Sequence, residues 1–233
     1  MENTDLKYHC IKIDQVIRSR RRTIALIVQN DGKLVVRAPW GVTENQIQNI
    51  VDRKVKWIIN KQVLSREKQQ RSQKQYINGE KFLYLGYPYR LAIVDSPRPA
   101  LTLEKQFLLA RTSHNKARQV FTRWYKEQAM QVITSRVHFF IERLGVSCPI
   151  IRITSARTRW GSCSFKGTLS FTWRLVMAPL DIIDYVVLHE LVHLNHKNHS
   201  KAFWLNIQAY MPDFNERRNW LKENGYLLSL DPA

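Results

Sequence analysis

Cysteine is scarce. Cys10, Cys148 and Cys163 are three in 233 residues, odd in number and without a paired CxxC spacing, which argues against both a disulfide framework and a zinc ribbon. Long hydrophobic runs are missing too: no stretch approaches the ~20 apolar residues of a membrane span, and the opening MENTDLKYHCIKID has no apolar centre of a signal peptide. A cytoplasmic protein is therefore expected. There is no P-loop, no acidic cluster suited to magnesium, and no RNA-recognition, zinc-finger or basic-zipper signature. Acidic residues are few, 19 Asp+Glu against 37 Lys+Arg, for a net charge of +18. Such a field favours anionic partners (nucleic acid, nucleotide or an acidic polypeptide), although a basic surface also serves solubility alone. A hydrophobic content of 44% with 24% charged residues is globular composition, and the length can bury one ample core or two small ones.

Against that background one stretch carries chemistry. Asp181 to Trp204 reads DIIDYVVLHELVHLNHKNHSKAFW and contains His189-Glu190-Leu191-Val192-His193. Residues four apart share a helix face, so His189 and His193 can converge on one point, as two zinc ligands do. Glu190 lies about 100° round the helix from His189, close to a metal-activated water yet poorly aimed to be a ligand, which suits a general base. A catalytic zinc takes three protein ligands and an open position. His199 is the third candidate, at the spacing metzincins use, and His196 is its rival. Asn195 and Asn198 tolerate the left-handed conformation that would end the helix and return His199 to the metal. Ile182, Ile183, Val186, Val187, Leu188, Leu191, Val192 and Leu194 make this helix apolar nearly all round, hence buried. Histidines and a glutamate are costly in such surroundings unless something coordinates them.

The rest of the chain reads as mixed α and β, an α+β fold. Residues 8–18, 23–28 and 34–39 are strand-like, the last two joined by Asn30-Asp31-Gly32, which predicts a β-meander. Thr43 to Gln46 forms a capping box for one helix, which ends in the polar stretch 65–75. Strands follow near 81–85, 88–95 and 100–110, with Pro97 and Pro99 at the last turn. An amphipathic helix over 115–144 is stopped by Gly145. Strands at 150–154 and 167–174 flank Arg157 to Ser164 and offer a sheet edge along which a substrate can add. Arg159 and Arg174 are candidate substrate-binding residues, able to stabilise an oxyanion or hold an anion. Cys163 is expected to be a buried structural thiol. Ser200 caps a helix ended by Pro212-Asp213, and a last helix runs from Phe214 to Asn224.

Several stretches together, DGKLVVRAPWGV, RTRWGSCSFKGTLSFTWRLVMAP, IDYVVLHELVHLNHKNHSKAFW and MPDFNERRNWLKENG, resemble the YgjP-like family of zincin metal-dependent hydrolases, related to SprT-type metalloproteases. The resemblance implies a zincin-like core and zinc ligands at His189, His193 and His199, with the catalytic glutamate at Glu190. The expected organisation is an N-terminal β-meander and helix (1–72), a second β segment (73–112) and a catalytic domain (113–233). A zinc-dependent metallopeptidase is the function expected first. The alternatives are a zinc-dependent nucleoside triphosphate pyrophosphohydrolase, which Arg157, Arg159 and Arg174 would serve, or a DNA-associated protein that processes or binds other proteins.

Overall fold

The computed structural model describes residues 11–29, 31–95 and 99–231. Cys10, Asn30, Pro97 and the first residues of the strand expected over 8–18 lie outside the described residues. The chain divides into two compact units, Met1–Arg71 and Ser72–Ala233.

In the first unit β1 (Gln15–Ser19), β2 (Ala25–Val28) and β3 (Leu34–Pro39) form a sheet ordered β1-β3-β2. The expected meander is thus corrected: β1 pairs with β3 in parallel, on the side opposite β2. The physical reason lies in β3, whose Leu34, Val35, Val36 and Ala38 are all buried while β1 and β2 hold only half-buried or exposed residues; the most buried strand takes the centre and is paired on both sides. Thr43 caps α1 (Glu44–Arg53) through the capping box with Gln46. The single helix expected here is two. Lys54 bonds Val51 O in a tight turn, and α2 (Val55–Ser72) starts beyond it. Val51 of α1 and Ile58 of α2 both reach the core of Leu34, Val36, Ala38 and Ile47.

The second unit is built on α3 (Ala117–Leu144), about 42 Å long at 1.5 Å per residue. Its buried residues, Ala117, Phe121, Tyr125, Ala129, Ile133, Val137 and Phe140, recur almost strictly every fourth position, giving one continuous apolar stripe. Near its start that stripe meets a four-stranded sheet ordered β4-β5-β7-β6: β4 (Lys81–Tyr84), β5 (Tyr87–Val94), β6 (Leu101–Leu103) and β7 (Phe107–Ala110). Phe82 and Phe121 stack with ring centroids 4.3 Å apart, and Trp124 meets Phe107 edge-on at 4.9 Å. The helical aromatics are therefore core. The strand expected over 100–110 is a hairpin, because polar Glu104-Lys105-Gln106 makes a turn, Glu104 N–H bonding Gln106 O at 3.1 Å.

The β4–β5 turn positions the site. Leu85 and Gly86 both have positive φ, at 50° and 84°, as a two-residue hairpin demands. Their N–H groups bond the carbonyls of Val176 and Met177, in the 3-10 turn Trp173–Met177. That turn leads through Pro179 into α4 (Leu180–Val192), the HExxH helix. A bidentate Arg136–Asp184 pair ties α4 to α3, with Nε and Nη2 at 2.5 and 2.8 Å from the carboxylate. A second sheet, ordered β8-β10-β9, comprises β8 (Ile151–Thr154), β9 (Gly161–Cys163) and β10 (Leu169–Thr172). β10 is central, paired with both neighbours, so the edge expected at 167–174 belongs instead to β9. Helices α5 (Lys201–Tyr210) and α6 (Phe214–Asn224) complete the unit. The architecture is α+β. Among the described residues no helix is long and apolar enough to cross a membrane.

Candidate metal centre

On α4 the apolar residues Ile183, Val187, Leu188 and Leu191 are buried around the helix, while Tyr185, Val186, His189 and Glu190 line cavities along its second half. His189 sits in the last turn and His193 caps it. The helix does not end through a left-handed asparagine, which corrects the expectation for Asn195 and Asn198: neither has positive φ. Instead Leu194 N–H bonds Leu191 O and Asn195 N–H bonds Val192 O, winding the end tighter by i→i+3 bonds. This keeps the chain compact enough for His199 to return, just before the Ser200 cap of α5.

Nε2 of His199 lies 3.1 Å from Nε2 of His189. The nitrogens of His189, His193 and His199 all come within 4.8 Å of one another. A tetrahedral ion at the usual ~2.0–2.1 Å zinc–nitrogen distance separates two ligand nitrogens by roughly 3.3 Å; the His189–His199 pair stands near that spacing, and a small turn of a ring closes the 4.8 Å outer limit to it. Their chemistry fits as well. His193 Nδ1 lies 2.9 Å from the carbonyl of His196; as donor to that oxygen it leaves Nε2 unprotonated for a metal. Burial, then the neighbouring His193 and His199, push the His189 pKa down to about 3, so the ring is neutral, the ligating form. His189 Nδ1 is buried without a hydrogen-bond partner. Packing holds this ring: Phe203 meets it edge-on at 4.9 Å and Tyr185 at 5.9 Å. His196, the rival ligand, lies outside the converging group and contributes its backbone oxygen to His193.

Glu190 is 6% exposed and faces β9. Burial raises its carboxyl to about 7, against the pull of the Cys163 backbone N–H and the positive charge of Arg159. Its side chain lies on Gly161, where a β-carbon would stand 2.6 Å from both Cγ and Oε1. A cavity of about 470 Å³ joins Gly161 to Phe165 with Glu190 and the three histidines. A second, of about 290 Å³, opens on the other side of Glu190 between Trp160, Tyr185, Arg218 and Leu221.

The remaining candidates separate. Arg159 stays near, lining a small cavity with Trp160 and Gly161. Arg174 does not: it lines a different cavity with Arg157, and its Nη1 donates to the carbonyls of Ser155 and Ala156 at 3.2 and 3.4 Å. Cys163 is half-buried, burial pushes its thiol pKa up, and its backbone N–H faces Glu190. Gly161 and that N–H were invisible to side-chain reasoning. Their place two residues apart in RWGSCS was the signal the sequence held.

Three histidines around one point, beside a buried glutamate on an HExxH helix, define a metal-dependent hydrolase of the metallopeptidase class. The chain belongs to the YgjP-like family, described as YgjP-like, metallopeptidase domain, which it matches over residues 22–224. It is similar to two solved metallopeptidase zymogens. One is jannalysin of Methanocaldococcus jannaschii, at 24% identity and a TM-score of 0.37, covering 40% of this chain and 95% of that one. The other is abylysin of Pyrococcus abyssi, at 20% identity and a TM-score of 0.37, covering 43% and 99%. No curated protein matches the chain.

Proposed function

We propose that the chain is a zinc peptidase acting on extended polypeptide, with His189, His193 and His199 as ligands and Glu190 as general base. The observation that carries this is the convergence of the three histidine nitrogens within 4.8 Å beside a carboxyl poised near neutrality. An all-imidazole set suits zinc among the common divalent ions. When bound, zinc supplies Lewis acidity to the attacking water and the scissile carbonyl.

The protein residues supply the rest. Glu190 accepts a proton from the attacking water as its oxygen bonds the carbonyl carbon, then delivers that proton to the departing amine as the C–N bond breaks. A group with a pKa near 7 can do both at neutral pH. Arg159, whose charge acts on Glu190, favours its ionised form. The edge strand β9 runs past Glu190, and a substrate strand laid along it would present its peptide bond to the base. Phe165, 92% exposed, offers an apolar contact at the rim. Arg218 gives the 290 Å³ cavity a preference for an acidic side chain.

The test sets zinc-loaded protein against unfolded polypeptides, nucleoside triphosphates and DNA-bound proteins. Polypeptide cleavage abolished by chelation and restored by zinc is expected. Zinc-dependent release of pyrophosphate with no cleavage of any polypeptide would overturn the peptidase reading.

A further inference from the structure

A cavity of about 660 Å³ lies apart from the metal centre, lined by none of His189, Glu190, His193 or His199. One wall is the first turns of α3, presenting Arg118, Arg123 and Lys126; the other carries Arg157, Trp173 and Arg174. Five cationic side chains thus face one lining carboxylate, Glu127. Two features are hard to explain by packing alone. Arg174 is only 8% exposed, forms no ion pair among the described residues, and rests 4.3 Å from the Trp173 ring centroid. Trp173 is 2% exposed, and its indole N–H has no acceptor. A buried indole N–H without an acceptor is costly, and the Arg174 charge is met by the carbonyls of Ser155 and Ala156 and the field of Asp231, so a further anion is favoured there.

One protein carboxylate shows how an anion sits there. Asp231 Oδ1 accepts from Arg118 Nη2 at 2.8 Å and Arg157 Nη2 at 3.0 Å, bridging two guanidinium groups. Arg123 and Lys126 have no ion-pair partner among the described residues. The C-terminal segment carrying Asp231 is held by backbone contacts, Tyr76 Oη to Leu230 O at 2.6 Å and Lys74 N–H to Asp231 O at 2.8 Å.

We propose that this cavity is a binding site for phosphate groups, from a nucleic-acid backbone or a free polyphosphate, whose oxygens displace the Asp231 carboxylate between Arg118 and Arg157. Guanidinium forks match phosphate oxygens in pairs, and several forks around one cavity suit adjacent phosphates better than a single carboxylate. The unpaired Arg123 and Lys126 extend the site along α3, and the Trp173 indole N–H supplies a further donor. The site is independent of the metal centre, so peptidase activity does not bear on it.

The experiment measures binding of inorganic triphosphate by calorimetry, and of a single-stranded 20-mer oligonucleotide and a poly-glutamate peptide by anisotropy. Arg123→Glu/Lys126→Glu is compared with Arg90→Glu/Lys105→Glu, an equal charge change on exposed residues outside the cavity. The cavity variant should lose roughly tenfold or more in affinity and show a shallower salt slope. The control should lose about twofold or less. Asp231→Asn, with its fold checked by thermal melting, should bind more tightly, because it frees Arg118 and Arg157. A tenfold loss for the oligonucleotide alone assigns the site to nucleic acid, a loss for triphosphate alone to free polyphosphate, and a loss for both to the phosphate group itself. An unchanged affinity in the cavity variant, an equal loss in the control, no gain in a folded Asp231→Asn, or poly-glutamate binding as tightly as both phosphate ligands would overturn the proposal.

Discussion

Glu190 packs its side chain against the bare Cα of Gly161: a β-carbon there would stand 2.6 Å from Cγ and Oε1 and 2.9 Å from Cδ. Cavities open beside Glu190, so a methyl group at residue 161 would push the carboxyl towards one of them and out of its present place. The strand proposed as the substrate edge therefore also fixes the proposed base. Gly161→Ala should lower kcat by roughly 10²-fold, within the range for loss of a general base, while zinc stoichiometry stays at wild type. Overpacking of this size also costs about 1–3 kcal/mol. Metal analysis beside steady-state kinetics checks it; wild-type kcat in a zinc-loaded Gly161→Ala would show that Glu190 need not stay where it is.

The third ligand separates cleanly by substitution. His199 has its Nε2 in the converging group, whereas His196 contributes only a backbone oxygen. His196→Ala should retain stoichiometric zinc and His199→Ala should lose it or bind it weakly, since removal of one of three ligands leaves an incomplete set. The reverse pattern would move the assignment to His196.

In metal-free protein Glu190 and His189 pull stability in opposite directions with pH. The Glu190 pKa is raised from 4.5 to about 7, so its contribution is full below 4.5 and is lost as pH rises through 7. The His189 pKa falls from 6.5 to about 3, so its contribution is full above 6.5 and is lost as pH falls towards 3. Metal-free Glu190→Gln should exceed wild type in stability at pH 8, by on the order of 3 kcal/mol at 1.36 kcal/mol per unit, with the gap closing towards pH 5. Denaturant unfolding across that range measures it. A gap that widens on acidification would contradict the buried-carboxyl account.

Gly86 links the four-stranded sheet to the start of α4. It has φ of 84°, and a β-carbon there would lie 2.9 Å from Pro179 Cγ and 3.0 Å from its Cα. Gly86→Ala combines backbone strain with a clash against a rigid ring, and should cost about 1–3 kcal/mol or more. Thermal unfolding should show a fall of several degrees; an unchanged Tm would mean the turn can move off Pro179 freely.

Much of this was legible because periodicity and caps are local. The buried stripe of α3, the Gly145 stop, the Thr43 and Ser200 caps and the HExxH helix each follow from residues a few positions apart. Strand partners are not local, and there the sequence said less. Nothing near Gln15 announces a parallel pairing with β3, and nothing in 167–174 announces that β10 would be covered on both sides. Arg174 shows the same limit at the level of a site: it stands between the RWGSCS segment and the HExxH helix in the chain, yet its guanidinium bonds the carbonyls of Ser155 and Ala156 in another cavity. Gly161 was unreadable for a different reason, since its role consists in having no side chain.

On the proposed mechanism Glu190 moves the proton while the histidines hold the metal. The most direct measurement is turnover of a cleavable polypeptide by Glu190→Gln, with zinc content determined on the same sample. One zinc per chain and a kcat lower by a factor of order 10²–10⁴ are expected; a zinc-loaded Glu190→Gln that cleaves at the wild-type rate would remove Glu190 from the role of base.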